Sequence, residues 1–161
     1  MMQHFDMVET SHDLERSKTI LLSGIFEPHN LEHPLRESAF VELMICLRDL
    51  MAKVEKYSTR ISFTDDVILS KMTRDITDTI TNIRDSICHI NSFKRVVDDR
   101  ENRVAFCSIS GKGRAFDFGD VVLQSDYDDE TCFFYGCHRI YLKRHIIRAL
   151  NEAEEKLQRI T

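Results

Sequence analysis

Between residues 34 and 57 apolar side chains recur at three- and four-residue steps: Phe40, Leu43, Met44, Leu47, Leu50, Met51, Val54 and Tyr57. That spacing lines one face of an α-helix, and Pro34 suits its first turn. About six turns of one-sided apolar surface must face something large. A second helix is predicted over 73–93, where Ile76, Ile80, Ile83, Ile87 and Ile90 repeat at spacings of 4, 3, 4 and 3, a narrow apolar seam. Two such helices joined by a short linker predict an antiparallel pair within a helical bundle.

Residues 1–10 carry no periodic pattern and are expected to be flexible. From Ser11, a capping residue type, a helix is plausible up to Gly24, before the loop at 27–34 with its two prolines. The segment 61–69 is ambiguous. After about residue 102 the pattern changes to short alternating runs at 104–109, 121–124 and 131–135. These read as strands around the turn-like Gly111-Lys112-Gly113-Arg114 and the acidic turn at 126–130. A last helix starts near Tyr141 and buries Ile146, Ile147, Leu150, Ala153 and Leu157. The fold class is therefore mainly α: an antiparallel helical bundle with a small β-hairpin or β-sheet insertion at about 102–138, before the C-terminal helix, in one domain over 11–161.

A chain of 161 residues favours one domain. Its 42% apolar content, with five glycines and two prolines, argues against disorder. No apolar run approaches the roughly 20 residues that span a bilayer. The first residues lack the pattern of a signal peptide, so a cytoplasmic location is expected. Five cysteines then read as reduced thiols. A net charge of −5 argues against a protein that coats nucleic acid through charge alone.

One stretch of the second helix carries chemistry: Arg84-Asp85-Ser86-Ile87-Cys88-His89. On an ideal helix, with the isoleucine seam at zero, Arg84 lies roughly 80° away, Cys88 roughly 120°, Asp85 roughly 180° and His89 roughly 220°. All four face away from the chain's own core. Asp85 and His89 are an i, i+4 pair, so the carboxylate is expected to hold the imidazole and raise its pKa. A plain solvated face shows charges too, and a histidine satisfied by a partner chain is a third reading of the same residues.

This arrangement resembles the Arg-x4-His motif of the HEPN superfamily of helical domains, in which an Asn, Asp or His typically follows the Arg, as Asp85 does here. The resemblance covers about 11–95 plus the last helix, and the segment 102–138 is extra to it. It implies a homodimeric, metal-independent endoribonuclease without a cofactor, in which two motif helices meet and line one cleft. His89 would then transfer protons at the ribose 2′-hydroxyl or the leaving 5′-oxygen, and Arg84 would bind the scissile phosphate. Asp85 would orient His89. The products would be a 2′,3′-cyclic phosphate and a 5′-hydroxyl. Toxin or defence roles, and a neutralising antitoxin such as a nucleotidyltransferase, follow from the resemblance alone.

Residues 131–151 contain no acid, while Arg139, Lys143, Arg144 and Arg148 carry four positive charges. They are the candidate RNA-binding patch, with Tyr141 placed to stack on a base. The competing reading pairs them with the acidic turn at 126–130. Cys107, Cys132, Cys137 and His138 lack paired zinc-knuckle spacing and read as packing residues. Asp65-Asp66 and Asp98-Asp99 read as turn or helix-start residues rather than metal ligands. Two other function classes stay open: a catalytically silent HEPN-like domain that binds a nucleotide or protein partner, and a regulatory RNA-binding protein that does not cleave.

Overall fold

The apolar stripe read from the sequence makes α2 (Arg36–Tyr57) the element on which the others pack: Phe40, Leu43, Met44, Leu47, Leu50, Met51 and Val54 are all buried. This is a computed structural model, and it describes residues 2–89, 91, 93–97 and 102–160. Helices α1 (His4–Leu22), α3 (Ile76–Cys88) and α4 (Arg148–Gln158) each lie against α2. Ile76, Ile80 and Ile83 of α3 and Ala149, Leu150, Ala153 and Leu157 of α4 complete the main core.

Helix α1 begins at His4, seven residues before the expected Ser11. Phe5 and Val8 are exposed, and of this first part only Met2 and the partly buried Met7 reach the main core. The anchors are polar. Asp6 accepts hydrogen bonds from Lys56 Nζ at 2.8 Å and from Tyr57, while Lys53 reaches Asp13 at 3.0 Å. Hydrophobic periodicity does not register such anchors. Met2 is buried beneath them.

The predicted second helix is also shorter. It ends at Cys88, and His89 leaves it with φ −120° and ψ 96°. Ile90 of the seam lies outside the described residues, as do Asp98 and Asp99.

Among the described residues, five antiparallel strands follow. Strands β1 (Cys107–Ser110), β4 (Thr131–Tyr135) and β5 (His138–Tyr141) form one sheet in the order β1-β4-β5, and β2 (Gly113–Asp117) pairs with β3 (Val122–Ser125). Thus β4 pairs not with β3 across the acidic turn but with β1, in the register Ser110↔Thr131 to Cys107↔Phe134. Phe133 and Ile140 turn into the main core, while Cys132, Phe134 and Tyr141 join Val97, Val104 and Leu123 in a second, smaller core.

Two buried charges organise the junctions. Arg36, 1% exposed, donates to Ser108 Oγ and to the carbonyls of Ile25, Phe26, Glu27 and Asn30, so one guanidinium holds the connection between α1 and α2. Glu130, 3% exposed, accepts from the backbone N–H groups of Thr131, Lys143 and Arg144. It thereby caps, from twelve residues upstream, the π-helical turn Leu142–Ile147 that leads into α4. His145 in that turn is fully buried. Its Nδ1 accepts from Tyr141 N, so Nε2 carries the proton that meets the Asp65 carbonyl at 2.9 Å. Among the described residues no helix is long and apolar enough to cross a membrane.

Candidate functional site

The N-terminal end of α3 is fixed by charge. Asp75 caps it by accepting from Asp78 N, and Arg60 grips both Asp75 oxygens at 2.9 Å and Asp78 at 2.6 Å. Arg74 bonds Asp78 as well, which with Arg60 draws the Asp78 pKa down to about 2. Along the helix, Asn82 donates to the Met72 carbonyl and to Thr73 Oγ1, holding the 70–73 loop, and Thr77 donates to the Ile61 carbonyl. Isoleucines on one flank and Thr79, Asn82 and Ser86 on another are therefore buried, leaving Arg84, Asp85 and Cys88 outward.

At the C-terminal end the chain turns back. Arg95 donates from Nε to the Ser86 carbonyl at 2.7 Å, supplying a cation where the helix leaves carbonyls unpaired, and bonds Tyr135 on β4. Lys94 Nζ reaches Asp85 at 2.7 Å, and Arg84 approaches the same carboxylate at 3.5 Å. Burial raises the Asp85 carboxyl, but the hydrogen bond and charge of Lys94, with Arg84, outweigh it and leave it below the usual range. The turn after β4 fits closely here. Gly136 has φ +59°, and a Cβ on it would stand 2.5 Å from the Lys94 carbonyl oxygen.

Arg84, Asp85 and His89 are thus brought to one end of α3, with one correction. Asp85 does not hold His89. Because α3 ends at Cys88, His89 keeps only its backbone N–H on the Asp85 carbonyl, at 3.0 Å, and the carboxylate is taken by Lys94. The exposed His89 imidazole makes no hydrogen bond to a described residue. Arg84 Nε is buried without a partner, so part of this guanidinium's donor capacity is unused. The net arrangement is two cations, Arg84 and Lys94, on one carboxylate, with Arg95 on the Ser86 carbonyl and an exposed imidazole at the same end of the helix. Sequence spacing missed Lys94 and Arg95 because they arrive by a chain reversal after the helix.

The second candidate set lies on β5, the π-helical turn and the start of α4. Arg139 bonds Asp126 at 2.7 Å and the carbonyls of Gln124 and Asp66. Lys143 donates to the Asp129 carbonyl. Arg144 reaches Asp129 and lies 3.7 Å over the Tyr127 ring, and Arg148 pairs with Asp65 and Glu152. The alternative reading, pairing with the acidic turn, is the geometry found, extended by Asp65. Tyr141 cannot stack on a base: it is fully buried, and its hydroxyl accepts from Asp126 N. Asp66 accepts from Tyr127. Among the described residues, no three His, Cys, Asp or Glu side chains gather as a metal site.

Comparison of the chain with protein-family models, with curated proteins and with solved structures returns no match.

Proposed function

We propose that this protein is a HEPN-like helical bundle with the β segment 102–138 inserted before its last helix, and that it cleaves RNA at the C-terminal end of α3 without a metal. The observation that carries this reading is the exposed imidazole of His89, with no hydrogen bond to a described residue, at the same helix end as the partly exposed Arg84, whose one carboxylate contact, to Asp85, is as long as 3.5 Å. An acid–base group must have a free nitrogen to move a proton. A phosphate ligand needs donors not already spent on carboxylates.

In this reading Arg84, supported by the charge of Lys94, binds the scissile phosphodiester and stabilises charge that develops on its oxygens. The ribose 2′-oxygen attacks phosphorus, forming the 2′,3′-cyclic phosphate, as the bond to the 5′-oxygen breaks. His89 of one copy takes the 2′-hydroxyl proton, and the imidazolium of the second copy delivers one to the leaving 5′-oxygen. Asp85 acts on the cations, holding Lys94 and Arg84 in place, rather than on the imidazole. One such helix end is an open surface, so a second copy related by a two-fold axis would close it into a cleft. Action as a cytoplasmic toxin or defence effector, with an antitoxin partner such as a nucleotidyltransferase, belongs to the same proposal.

The test is cleavage of single-stranded RNA in chelator by the wild type, His89→Ala, Arg84→Ala and the double variant, with cyclic-phosphate ends as the readout. Each variant is expected to lose at least about a hundredfold in rate, while thermal stability and dimer formation stay unchanged. Full cleavage by a cleanly purified double variant would sink the proposal. DNA of the same sequence should survive, since it lacks the nucleophile.

A further inference from the structure

Between the loop at 68–73 and the β2–β3 hairpin lies a cleft of about 370 Å³. Its walls are aliphatic: Ile68 from the loop, Val97 from the segment after α3, and Val122 and Leu123 from β3. Its polar lining is of another kind. Ser70 Oγ accepts from Met72 N and Thr73 Oγ1 accepts from Asn82, so both hydroxyls keep a proton with no acceptor among the described residues. Among the described residues the His138 imidazole has one hydrogen-bond contact, with the Cys137 sulfur at 3.9 Å. Burial, reinforced by the charge of Lys94, pushes the His138 pKa down to about 4. At neutral pH it therefore offers one donor and one acceptor nitrogen.

An anion does not fit this lining. Both terminal nitrogens of Arg139 are occupied by Asp126 and by carbonyls, and Asp120 adds a negative charge to the lining. What fits is neutral and flat, with donors and acceptors on its edges and apolar faces. The volume lies at the lower end of the roughly 300–1,000 Å³ of small-molecule sites, suiting one heterocycle rather than a length of polymer. The His138 end of the cleft adjoins the segment after α3 that carries Lys94. Gly136, two residues before His138, is packed on the backbone of Lys94, and Lys94 bonds Asp85. A neutral slot beside a cationic helix end has the polarity of a nucleotide, base to one side and phosphate to the other.

We propose that the cleft receives one unpaired nucleobase of the RNA: its edge bonds to His138, Ser70 and Thr73, and its faces are covered by the aliphatic walls. This rests on the RNA-cleavage reading for its polymer, though not for the pocket itself. The β segment then sets which base lies next to the scissile bond.

Adenosine, guanosine, cytidine and uridine are titrated against the whole chain while the His138 ring signals are followed by NMR, with inorganic phosphate alongside. At least one nucleoside is expected to bind on the order of millimolar and to move His138, whereas phosphate does not move it. Val122→Trp, which fills the cleft from an exposed position on β3, should weaken that binding by at least about tenfold at an unchanged melting temperature. It should also flatten the base preference of RNA cleavage. A short single-stranded oligoribonucleotide should displace the nucleoside, and a nucleoside that stays bound overturns the assignment to RNA. If no nucleoside moves His138, or Val122→Trp binds like wild type, the pocket falls even where RNA is cleaved. If nucleosides bind through the cleft and no RNA is cleaved, the pocket stands and the ribonuclease reading falls.

Discussion

Two regions of this molecule are rich in cations, and they handle them in opposite ways. Along 139–148, Arg139, Lys143, Arg144 and Arg148 meet Asp65, Asp126, Asp129, Glu130 and Glu152, so the charge is spent inside the chain. At the end of α3, Arg84 and Lys94 both meet Asp85, Arg95 holds the Ser86 carbonyl, and the His89 imidazole has no hydrogen bond to a described residue. The run with the stronger sequence charge is thus the one that builds structure. In the sparser set Arg84 and Lys94 share the one carboxylate of Asp85, and Arg84 meets it only at 3.5 Å.

Substitutions can break this contrast at the structural end first. Glu130→Ala strips three backbone N–H groups of a buried acceptor, and unfolding in urea should show a loss of about 3 kcal/mol. A loss below about 1 kcal/mol would mean the π-helical turn is capped some other way. Gly136→Ala puts a Cβ against the Lys94 carbonyl at a positive φ, so a loss of about 2 kcal/mol is expected. Because the clash lies on the segment that carries Lys94 and Arg95, RNA cleavage should fall with it.

A milder probe is acid. Unfolded His138 takes a proton near its ordinary 6.5, whereas folded His138 takes one only near 4. The unfolded state therefore binds more protons in that window, and stability declines as pH falls through it. His138→Gln should flatten the decline, and an unchanged slope would exonerate this residue. Asp78 contributes in the other acid range, where its stabilisation is complete above about pH 4 and fades toward pH 2. The smallest effect is expected of Arg148→Ala. Its pairs with Asp65 and Glu152 are half exposed, so a change within about 0.5 kcal/mol is anticipated. RNA cleavage should stay at wild-type rate, in contrast to Arg84→Ala.

The helix that organises the fold was legible because Phe40 to Val54 repeat on one face and every one of them is buried. The N-terminal limit of α1 was not, since Asp6 and Asp13 find Lys56 and Lys53 forty or more residues away. The outward setting of Arg84 and Asp85 followed from helical geometry alone. The partner of Asp85 did not, because helical spacing presumes that the helix continues, and this one stops at Cys88. In the basic run the charges were plain in the sequence, but their counterions were only partly so. Asp126 to Glu130 are near neighbours, whereas Asp65 lies 83 residues from Arg148. His138 gave no signal, for its chemistry comes from the walls around it.

Strand β4 lies directly beside β1, and the Gly111 N–H donates to the Glu130 carbonyl at 2.7 Å where the two strands end. Everything between, including the β2–β3 hairpin, is an excursion whose two ends are already tied together. Closing such a loop becomes costlier only slowly with length, by about 0.6 kcal/mol per doubling. The tip of the hairpin can therefore be lengthened or shortened at little cost, whereas Leu123 is held by the second core it shares with Phe134 and Tyr141. Since Val122 stands exposed on that hairpin, one position in the wall of the cleft is an interchangeable part, and what the cleft accepts can be revised without redesigning the protein.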